Sequence, residues 1–150
     1  MRPLTILLLS GALGTAVESD VDLYSAKELK AMGEKLAQKR TQFASQDLAR
    51  YGKHYTMLAF RNATGSSEVH EHEADIFIIE SGEATLVTGG KIVGTHQVKT
   101  GEIRGSSIQG GQRHRVSIGD IIHIPAGTPH QLLIDKEKPF TYFVVKVTDQ

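Results

Sequence analysis

The chain has 150 residues, which is enough for one domain of ordinary size and too few for two. Lys plus Arg and Asp plus Glu each number 17, so no basic excess supports nucleic acid as a partner. The absence of cysteine excludes disulfides, thiolate metal ligands and a cysteine nucleophile, so any metal site must use nitrogen and oxygen ligands.

Residues 1–16 have the order of a secretory signal peptide. Arg2 precedes an uncharged, largely apolar stretch, and the small residues Gly14 and Ala16 place a cleavage site after Ala16. An uncleaved anchor is the alternative, but the apolar stretch is shorter than the ~20 residues that cross a bilayer. We therefore expect export to the periplasm or the extracellular space, with no stable membrane insertion after cleavage.

Residues 17–50 form a predicted N-terminal extension that contains one amphipathic helix. Ser25 and Glu28 stand at the spacing of a capping box. Apolar residues then follow at helical spacing, namely Leu29, Met32, Leu36 and Phe43. The pattern predicts a helix over residues 26–44 that packs on the outside of a β core.

Residues 51–150 form the predicted β domain, because short alternating apolar segments alternate there with glycine-rich turns. Such spacing is typical of a sandwich or barrel, so the fold class is all-β. The predicted strands lie in HYTMLAFR, ADIFIIESG, EATLVTGG, GDIIHIPAGTPHQLLI and FTYFVVKV. The glycine-rich stretch 101–114 is either a β excursion or a loop over a pocket mouth.

The stretch VHEHEADIFIIESG, residues 69–82, places polar residues in front of an alternating strand. His70 and His72 are two residues apart, so in a strand they project from the same face. If the next strand begins at Asp75, then Asp75, Phe77 and Ile79 share one face. A carboxylate on that face can join the two imidazoles.

The stretch GDIIHIPAGTPHQLLI, residues 119–134, supplies a third imidazole. Pro125 and Gly127 shape a tight turn that places His130 at the start of a strand, with Leu132 and Ile134 on the same face. Imidazoles from two strand pairs, together with a carboxylate, suit Fe(II), Mn(II), Zn(II), Ni(II) or Cu(II). Spacing does not choose among these metals.

The second stretch resembles one of the paired motifs of the cupin superfamily, in its small single-domain form. That motif runs Gly, five residues, Pro-x-Gly, two residues, His, three residues, Asn. Gly119, Pro125, Gly127 and His130 match it, and Ile134 replaces the final Asn.

The first stretch resembles the other cupin motif, which runs Gly, five residues, His-x-His, three or four residues, Glu, six residues, Gly. His70, His72 and Gly82 match, and Asp75 stands where the family has Glu. Asp is a methylene shorter than Glu, the segment between His72 and the acid is short, and the leading Gly65 is displaced by one residue.

The resemblance implies a cupin-type jelly-roll β-barrel, usually a homodimer, that holds one divalent transition metal in its mouth. Carried over by position, the metal ligands are His70, His72, Asp75 and His130. A three-His site without Asp75 is the alternative.

The pocket beside this metal is predicted to have a largely apolar wall, which suits a small organic molecule better than a sugar phosphate. The wall residues are Phe77, Ile79, Leu132 and Ile134. Three residues on the strand before the first motif are further pocket candidates, namely His54, Tyr55 and Arg61.

Two functions of different class follow from these residues. The first is a metal-dependent enzyme of the dioxygenase, isomerase or lyase type, acting on a small organic molecule. The second is a non-catalytic module that binds a metal or a small ligand. A metal with open positions in a partly apolar pocket favours the enzyme, but fold alone does not decide between them.

Overall fold

The computed structural model describes residues 21–135 and 138–150, so the segment predicted as a signal peptide lies outside it. In the described residues one helix, α1 (Ala26–Ala37), precedes thirteen strands. The first seven strands are β1 (Phe43–Arg50), β2 (His54–Arg61), β3 (Ser67–His70), β4 (Glu73–Ser81), β5 (Glu83–Thr88), β6 (Lys91–Val93) and β7 (His96–Lys99). The remaining six are β8 (Glu102–Gly105), β9 (Ser107–Gln109), β10 (Gln112–Ser117), β11 (Ile121–Ile124), β12 (His130–Leu133) and β13 (Phe140–Thr148).

The strands form two main antiparallel sheets. One has five strands in the order β1-β2-β13-β4-β11, the other has six in the order β10-β5-β12-β3-β8-β7, and β6 pairs with β9 separately. The predicted all-β class with an N-terminal helix is thereby confirmed. The stretch 101–114 is a β excursion, since it contains β8, β9 and the start of β10.

Helix α1 is shorter than predicted. Its capping box is present, because the Ser25 hydroxyl accepts from the Glu28 amide and the Glu28 carboxylate accepts from the Ser25 amide. The helix ends at Ala37, and Arg40 then adopts a φ of 55°, which turns the chain back. Phe43 therefore begins β1 instead of closing the helix, and residues 43–50 of the predicted extension pair with β2 in the five-stranded sheet.

The helix packs on the outer face of the five-stranded sheet, as predicted. Leu29 and Leu36 of α1 are buried in one cluster with Ala44 of β1 and with Leu58 and Phe60 of β2. The alternate residues of β2 point the other way, into the space between the sheets. No helix in residues 21–135 and 138–150 is long and apolar enough to cross a membrane.

The space between the sheets contains two regions with different side chains. One region, here called the apolar core, includes Ile79, Leu86, Ile124, Ile134 and Phe140. The other region, here called the polar cavity, is lined by charged and aromatic residues of β1, β2, β3, β4, β7, β8, β12 and β13. Strands β2, β4, β12 and β13 contribute to both regions, so the two lie side by side along the barrel.

Candidate metal centre

Strand β3 supplies the first two polar residues of the cavity. Glu68 and His70 are two residues apart on β3, so both side chains project from the same face, into the cavity. His70 is buried, and the Glu68 side chain is 13% exposed. The His70 Nε2 atom lies 3.3 Å from the Glu68 Oε2 atom.

The turn before β12 places His130 opposite them. Gly127 has a φ of 74°, which favours glycine, and its amide donates a 2.8 Å hydrogen bond to the His70 carbonyl. The His130 Nδ1 atom lies 3.0 Å from the Thr128 carbonyl oxygen. Because a carbonyl oxygen only accepts, Nδ1 donates, and in the neutral ring the lone pair of Nε2 faces the cavity.

Glu68, His70 and His130 form the group that could bind a metal ion. One ligand atom from each of these residues lies within 4.8 Å of those of the other two. The Asp75 Oδ2 atom is close to both imidazoles, at 3.6 Å from His70 Nε2 and 3.5 Å from His130 Nε2. The structure therefore brings together His70, Asp75 and His130 of the predicted ligands, and adds Glu68.

Protonation states in this group favour a bound cation. Burial raises the pKa of the Glu68 carboxyl, but its hydrogen bond with His70 and the charge of Arg104 lower that pKa to about 2. Burial lowers the pKa of His130. An ionised carboxylate thus lies beside a neutral imidazole, and both forms are those that bind metals.

The residues present fit a divalent metal. Two imidazoles and one carboxylate are the nitrogen and oxygen set of the two-His-one-carboxylate sites that bind Fe(II). The His130 Nε2 lone pair and the Asp75 Oδ2 atom are 3.5 Å apart and both are acceptors, so a cation between them would relieve their repulsion.

Asp75 also has a partner that its position in the motif does not reveal. The Lys146 Nζ atom lies 2.6 Å from Asp75 Oδ1, because β4 and β13 pair with these residues opposite each other. Asp75 is 1% exposed and Lys146 is 8% exposed. One carboxylate oxygen is therefore held by a buried ammonium, while the other faces the imidazoles.

His72 lies outside the group. Strand β3 ends at His70, and His72 is exposed in the turn before β4. His70 and His72 would project from the same face only if β3 continued to residue 72, and β3 ends at His70. A ligand role for His72 stays a prediction, and so does the three-His alternative. The exposed position of His72 does not favour either of them.

Glu68 was missed because a His-x-His pair fits residues 70 and 72. If the first cupin motif is aligned two residues earlier, Glu68 and His70 occupy the positions of its two histidines. Four residues then separate His70 from Asp75, and six separate Asp75 from Gly82, which are the spacings of the motif. Gly82 has a φ of 77°, and a Cβ there would lie 2.2 Å from the Pro139 carbonyl oxygen.

The predicted pocket residues divide between the two regions. The cavity has a volume of about 210 Å³, and Tyr55, Arg61, Phe77 and Leu132 line it. Ile79 and Ile134 belong to the apolar core. His54 is exposed and stacks on Tyr51 with the ring centroids 4.4 Å apart.

The cavity wall is more polar than predicted, because two arginines approach Glu68. Arg61 Nη2 lies 3.4 Å and Arg104 Nη1 lies 3.6 Å from the same Glu68 oxygen, Oε1. Arg61 Nε also donates a 3.0 Å hydrogen bond to the Tyr142 hydroxyl, and Arg104 Nε lies 2.7 Å from Glu102. These cations come from strands outside the two motifs, which is why the motifs alone indicated an apolar wall.

Solved structures share this architecture. A double-stranded β-helix domain protein from Klebsiella pneumoniae has a TM-score of 0.59 at 16% identity, over 87% of this chain and 93% of that chain. The cupin domain of Schizosaccharomyces pombe Cnp3 has a TM-score of 0.55 at 11% identity, over 73% of this chain and 66% of that chain. The protein has the cupin fold.

A third cupin-like neighbour is an enzyme. The DMSP lyase DddQ from Ruegeria pomeroyi has a TM-score of 0.52 at 21% identity, over 75% of this chain and 50% of that chain. This chain thus spans half of that lyase and about two thirds of the Cnp3 cupin domain. No protein-family model and no curated protein matches the sequence, so these similarities show the fold alone.

Proposed function

We propose that this cupin is a metal-dependent enzyme of the dioxygenase, isomerase or lyase type that acts on a small organic molecule. Glu68, His70 and His130 would hold one divalent transition metal, that is Fe, Mn, Zn, Ni or Cu. The observation that carries the proposal is the convergence of two imidazoles and an ionised carboxylate within 4.8 Å inside a cavity. A bound ion would supply Lewis-acid chemistry, and Fe(II) would also supply dioxygen chemistry.

Three protein ligands leave room for substrate at the metal, which supports catalysis over a structural role. Structural sites of Zn(II) are closed by four protein ligands, whereas catalytic sites keep an open position. Asp75 is the fourth candidate, but Lys146 already holds one of its oxygens at 2.6 Å. We propose that Asp75 chiefly neutralises Lys146 and orients toward the imidazoles, and that Glu68 is the carboxylate ligand.

The cavity also supplies a hydroxyl that can donate a hydrogen bond to a substrate. Burial raises the pKa of the Tyr142 hydroxyl, and burial together with Glu73 raises that of Tyr55 to about 12. Both phenols are therefore protonated at neutral pH. The Tyr55 hydroxyl donates to the Glu73 carboxylate at 3.3 Å, so Tyr142 is the phenol that can donate a hydrogen bond to a substrate oxygen. Arg61 donates to the Tyr142 oxygen at 3.0 Å, which fixes the position of that hydroxyl.

Aromatic packing behind the imidazoles keeps that side of the cavity dry. Phe77 lies edge-on to the His130 ring at 6.3 Å between centroids, and against Tyr142 at 4.9 Å. All three side chains are buried. Exclusion of water strengthens the electrostatic interactions of a metal and its substrate.

The second candidate function is a non-catalytic module that binds a metal or a small ligand. One observation favours a small ligand over a metal in such a module: Glu68 and Asp75 already have cationic partners in Arg61, Arg104 and Lys146. A site whose charges balance without a metal needs no metal in order to fold. Turnover of a substrate by the loaded protein separates the two functions.

We further propose that the chain is exported after removal of residues 1–16 and that it forms a homodimer. The order of Arg2, an apolar stretch and small residues supports the export proposal. Mass spectrometry of the secreted chain tests cleavage after Ala16, and light scattering tests the dimer.

The test of the metal proposal is the metal content of the purified protein, measured by elemental analysis after loading with Fe(II), Mn(II) or Zn(II). We expect one ion per chain in the wild type and less than one tenth of that in His130→Ala. His96→Ala is the matched control, because His96 is exposed on β7. Full metal content in His130→Ala would overturn the proposal.

The enzyme proposal needs a second measurement on the same loaded protein. We expect substrate-dependent dioxygen uptake, or a new product by mass spectrometry, with catechol-like, diketone or small hydroxy-acid substrates. The activity should fall in His130→Ala and persist in His96→Ala. Ligand retention without turnover across these classes would favour the binding module.

A further inference from the structure

We propose that the molecule bound in the cavity is a small organic acid, whose carboxylate is held by Arg104 and Arg61 beside the metal. This inference rests on the proposed function, because the acid would contact the metal as well as the arginines. It names a ligand class that the two sequence motifs do not indicate, since both arginines lie outside them.

The two guanidinium groups converge on one point at the edge of the metal site. Both approach the same Glu68 oxygen, at 3.4 Å from Arg61 and 3.6 Å from Arg104, and Glu68 lies 3.3 Å from His70. These distances are longer than the 2.7–2.9 Å of a strong charge-assisted hydrogen bond. The contacts to Glu68 are therefore loose.

Each arginine keeps donors for a ligand. A guanidinium has five N–H donors in a planar fork, which matches the two oxygens of a carboxylate. Arg104 contacts Glu102 through Nε and contacts Ser66 and Glu68 through Nη1, and within residues 21–135 and 138–150 its Nη2 has no hydrogen-bond partner. The Arg104 side chain is 37% exposed, so a ligand that enters the cavity can reach it.

Lys146, unlike the two arginines, is not available to bind a ligand. Its ammonium lies 2.6 Å from Asp75 and its side chain is 10% exposed, so it is committed to a buried carboxylate. Arg104 also makes a short contact, 2.7 Å from its Nε to the buried Glu102, but its Nη1 lies a whole ångström farther from Glu68 than Lys146 lies from Asp75. Arg104 is thus a cation that a ligand can engage through Nη2 without breaking its short ion pair.

The charge of the cavity points to an anion once a metal is present. Four acidic residues line the cavity, namely Glu68, Glu73, Asp75 and Glu102. Four basic residues line it as well, namely Arg61, Lys99, Arg104 and Lys146. The lining is therefore neutral with both imidazoles uncharged, and a divalent ion makes it positive by two. An anionic ligand lowers this excess, and the low dielectric of the site strengthens the attraction.

The cavity size limits the acid. Its volume of about 210 Å³ is below the roughly 300–1,000 Å³ typical of pockets for drug-sized ligands. The wall combines Phe77, Leu132 and Val144 with the charged residues, so a short apolar chain can lie against it. A monocarboxylic acid of a few carbons fits both the size and the wall.

The test is calorimetric binding of three acids and their neutral amides to the Zn(II)-loaded protein. The pairs are acetate and acetamide, propionate and propanamide, and lactate and lactamide. We expect at least one acid to bind ten times more tightly than its amide. Zn(II) itself binds a carboxylate more tightly than a neutral amide. The deciding comparison is therefore between the wild type and the Arg104 variants, not between acid and amide alone.

Arg104→Gln should weaken binding of that acid about tenfold and leave amide binding unchanged. Arg104→Lys keeps the positive charge but loses the planar fork of donors. Its affinity for the acid should lie between those of the wild type and Arg104→Gln. Arg113→Gln is the control for net charge, since Arg113 is exposed on β10, and should bind as the wild type does. Metal-free protein should bind the acid at least tenfold more weakly.

The outcomes separate this inference from the proposed function. If Zn(II) binds in full but no acid binds, or Arg104→Gln equals the wild type, the organic-acid inference is overturned and the metal proposal stands. Equal acid binding with and without Zn(II) overturns the inference in the same way. If no Zn(II) binds to the wild type, the proposed function itself fails.

Discussion

The apolar core and the polar cavity share the strands β4 and β13, yet they bury opposite kinds of side chain. On β4 the inward residue Asp75 lies in the cavity and Ile79 lies in the core. On β13 the inward residue Lys146 lies in the cavity and Phe140 lies in the core. Strand alternation therefore decides which side chains point inward, while position along the strand decides whether they serve stability or chemistry.

The two regions differ in what burial costs. Apolar burial stabilises the fold by about 25 cal/mol for each Å² removed from water. A buried charge costs free energy unless a partner compensates for it. The cavity meets this cost with ion pairs between the strands, so we expect it to be the less stable region and the more responsive to a metal.

The largest expected effect on stability is in the core. Phe140 is 0% exposed, and Phe140→Ala should lower the free energy of unfolding by about 3–5 kcal/mol, since it leaves a cavity. Urea denaturation measures this loss, with Ile121→Ala as the control because Ile121 is 71% exposed. Metal content per folded chain should not change. A large loss of metal in folded Phe140→Ala would break the distinction between the regions.

The next effect is at the buried ion pair of the cavity. Lys146→Met leaves Asp75 without its partner and should cost about 3 kcal/mol of unfolding free energy in metal-free protein. The double variant Asp75→Asn, Lys146→Met should recover much of that loss, because it removes the unpaired charge. Urea denaturation of the wild type, Asp75→Asn, Lys146→Met and the double variant measures the coupling between the two residues. Equal losses in the single and double variants would show that the pair is not what stabilises this region.

The smallest effect is at Tyr142, which belongs to both regions. Tyr142→Phe keeps the ring but removes the acceptor of the Arg61 hydrogen bond, which should cost about 1 kcal/mol. Tyr24→Phe is the control and should have no measurable effect, because Tyr24 packs against the α1 cluster on the other face of the five-stranded sheet. Metal content should match the wild type. Loss of metal in Tyr142→Phe would mean that the hydroxyl itself supports the metal group.

Much of the fold could be predicted from the sequence because most of the central strands alternate clearly. The segment HYTMLAFR matches β2 residue for residue, since its inward and outward residues alternate between cavity and helix. Strand β1 was missed because Phe43 also continues the helical spacing, and only the turn at Arg40 ends the helix. The short, exposed strand β7 carries too little apolar alternation to be recognised.

The candidate site could be predicted only in part. His70, Asp75 and His130 follow from the two motifs, whereas Glu68 depends on where β3 ends, and that end lies at His70. Lys146 and Arg104 reach the site through the pairing of β4 with β13 and of β3 with β8. Such long-range register is not visible in a single sequence.

The central claim is that Glu68, and not His72, completes the metal group. The most direct test is the metal content of Glu68→Gln and His72→Ala, measured side by side after identical loading. The structure predicts that Glu68→Gln loses most of its metal, because its carboxylate lies within the group, and that His72→Ala keeps it, because His72 is exposed in the turn. Full metal in Glu68→Gln with loss in His72→Ala would contradict the account.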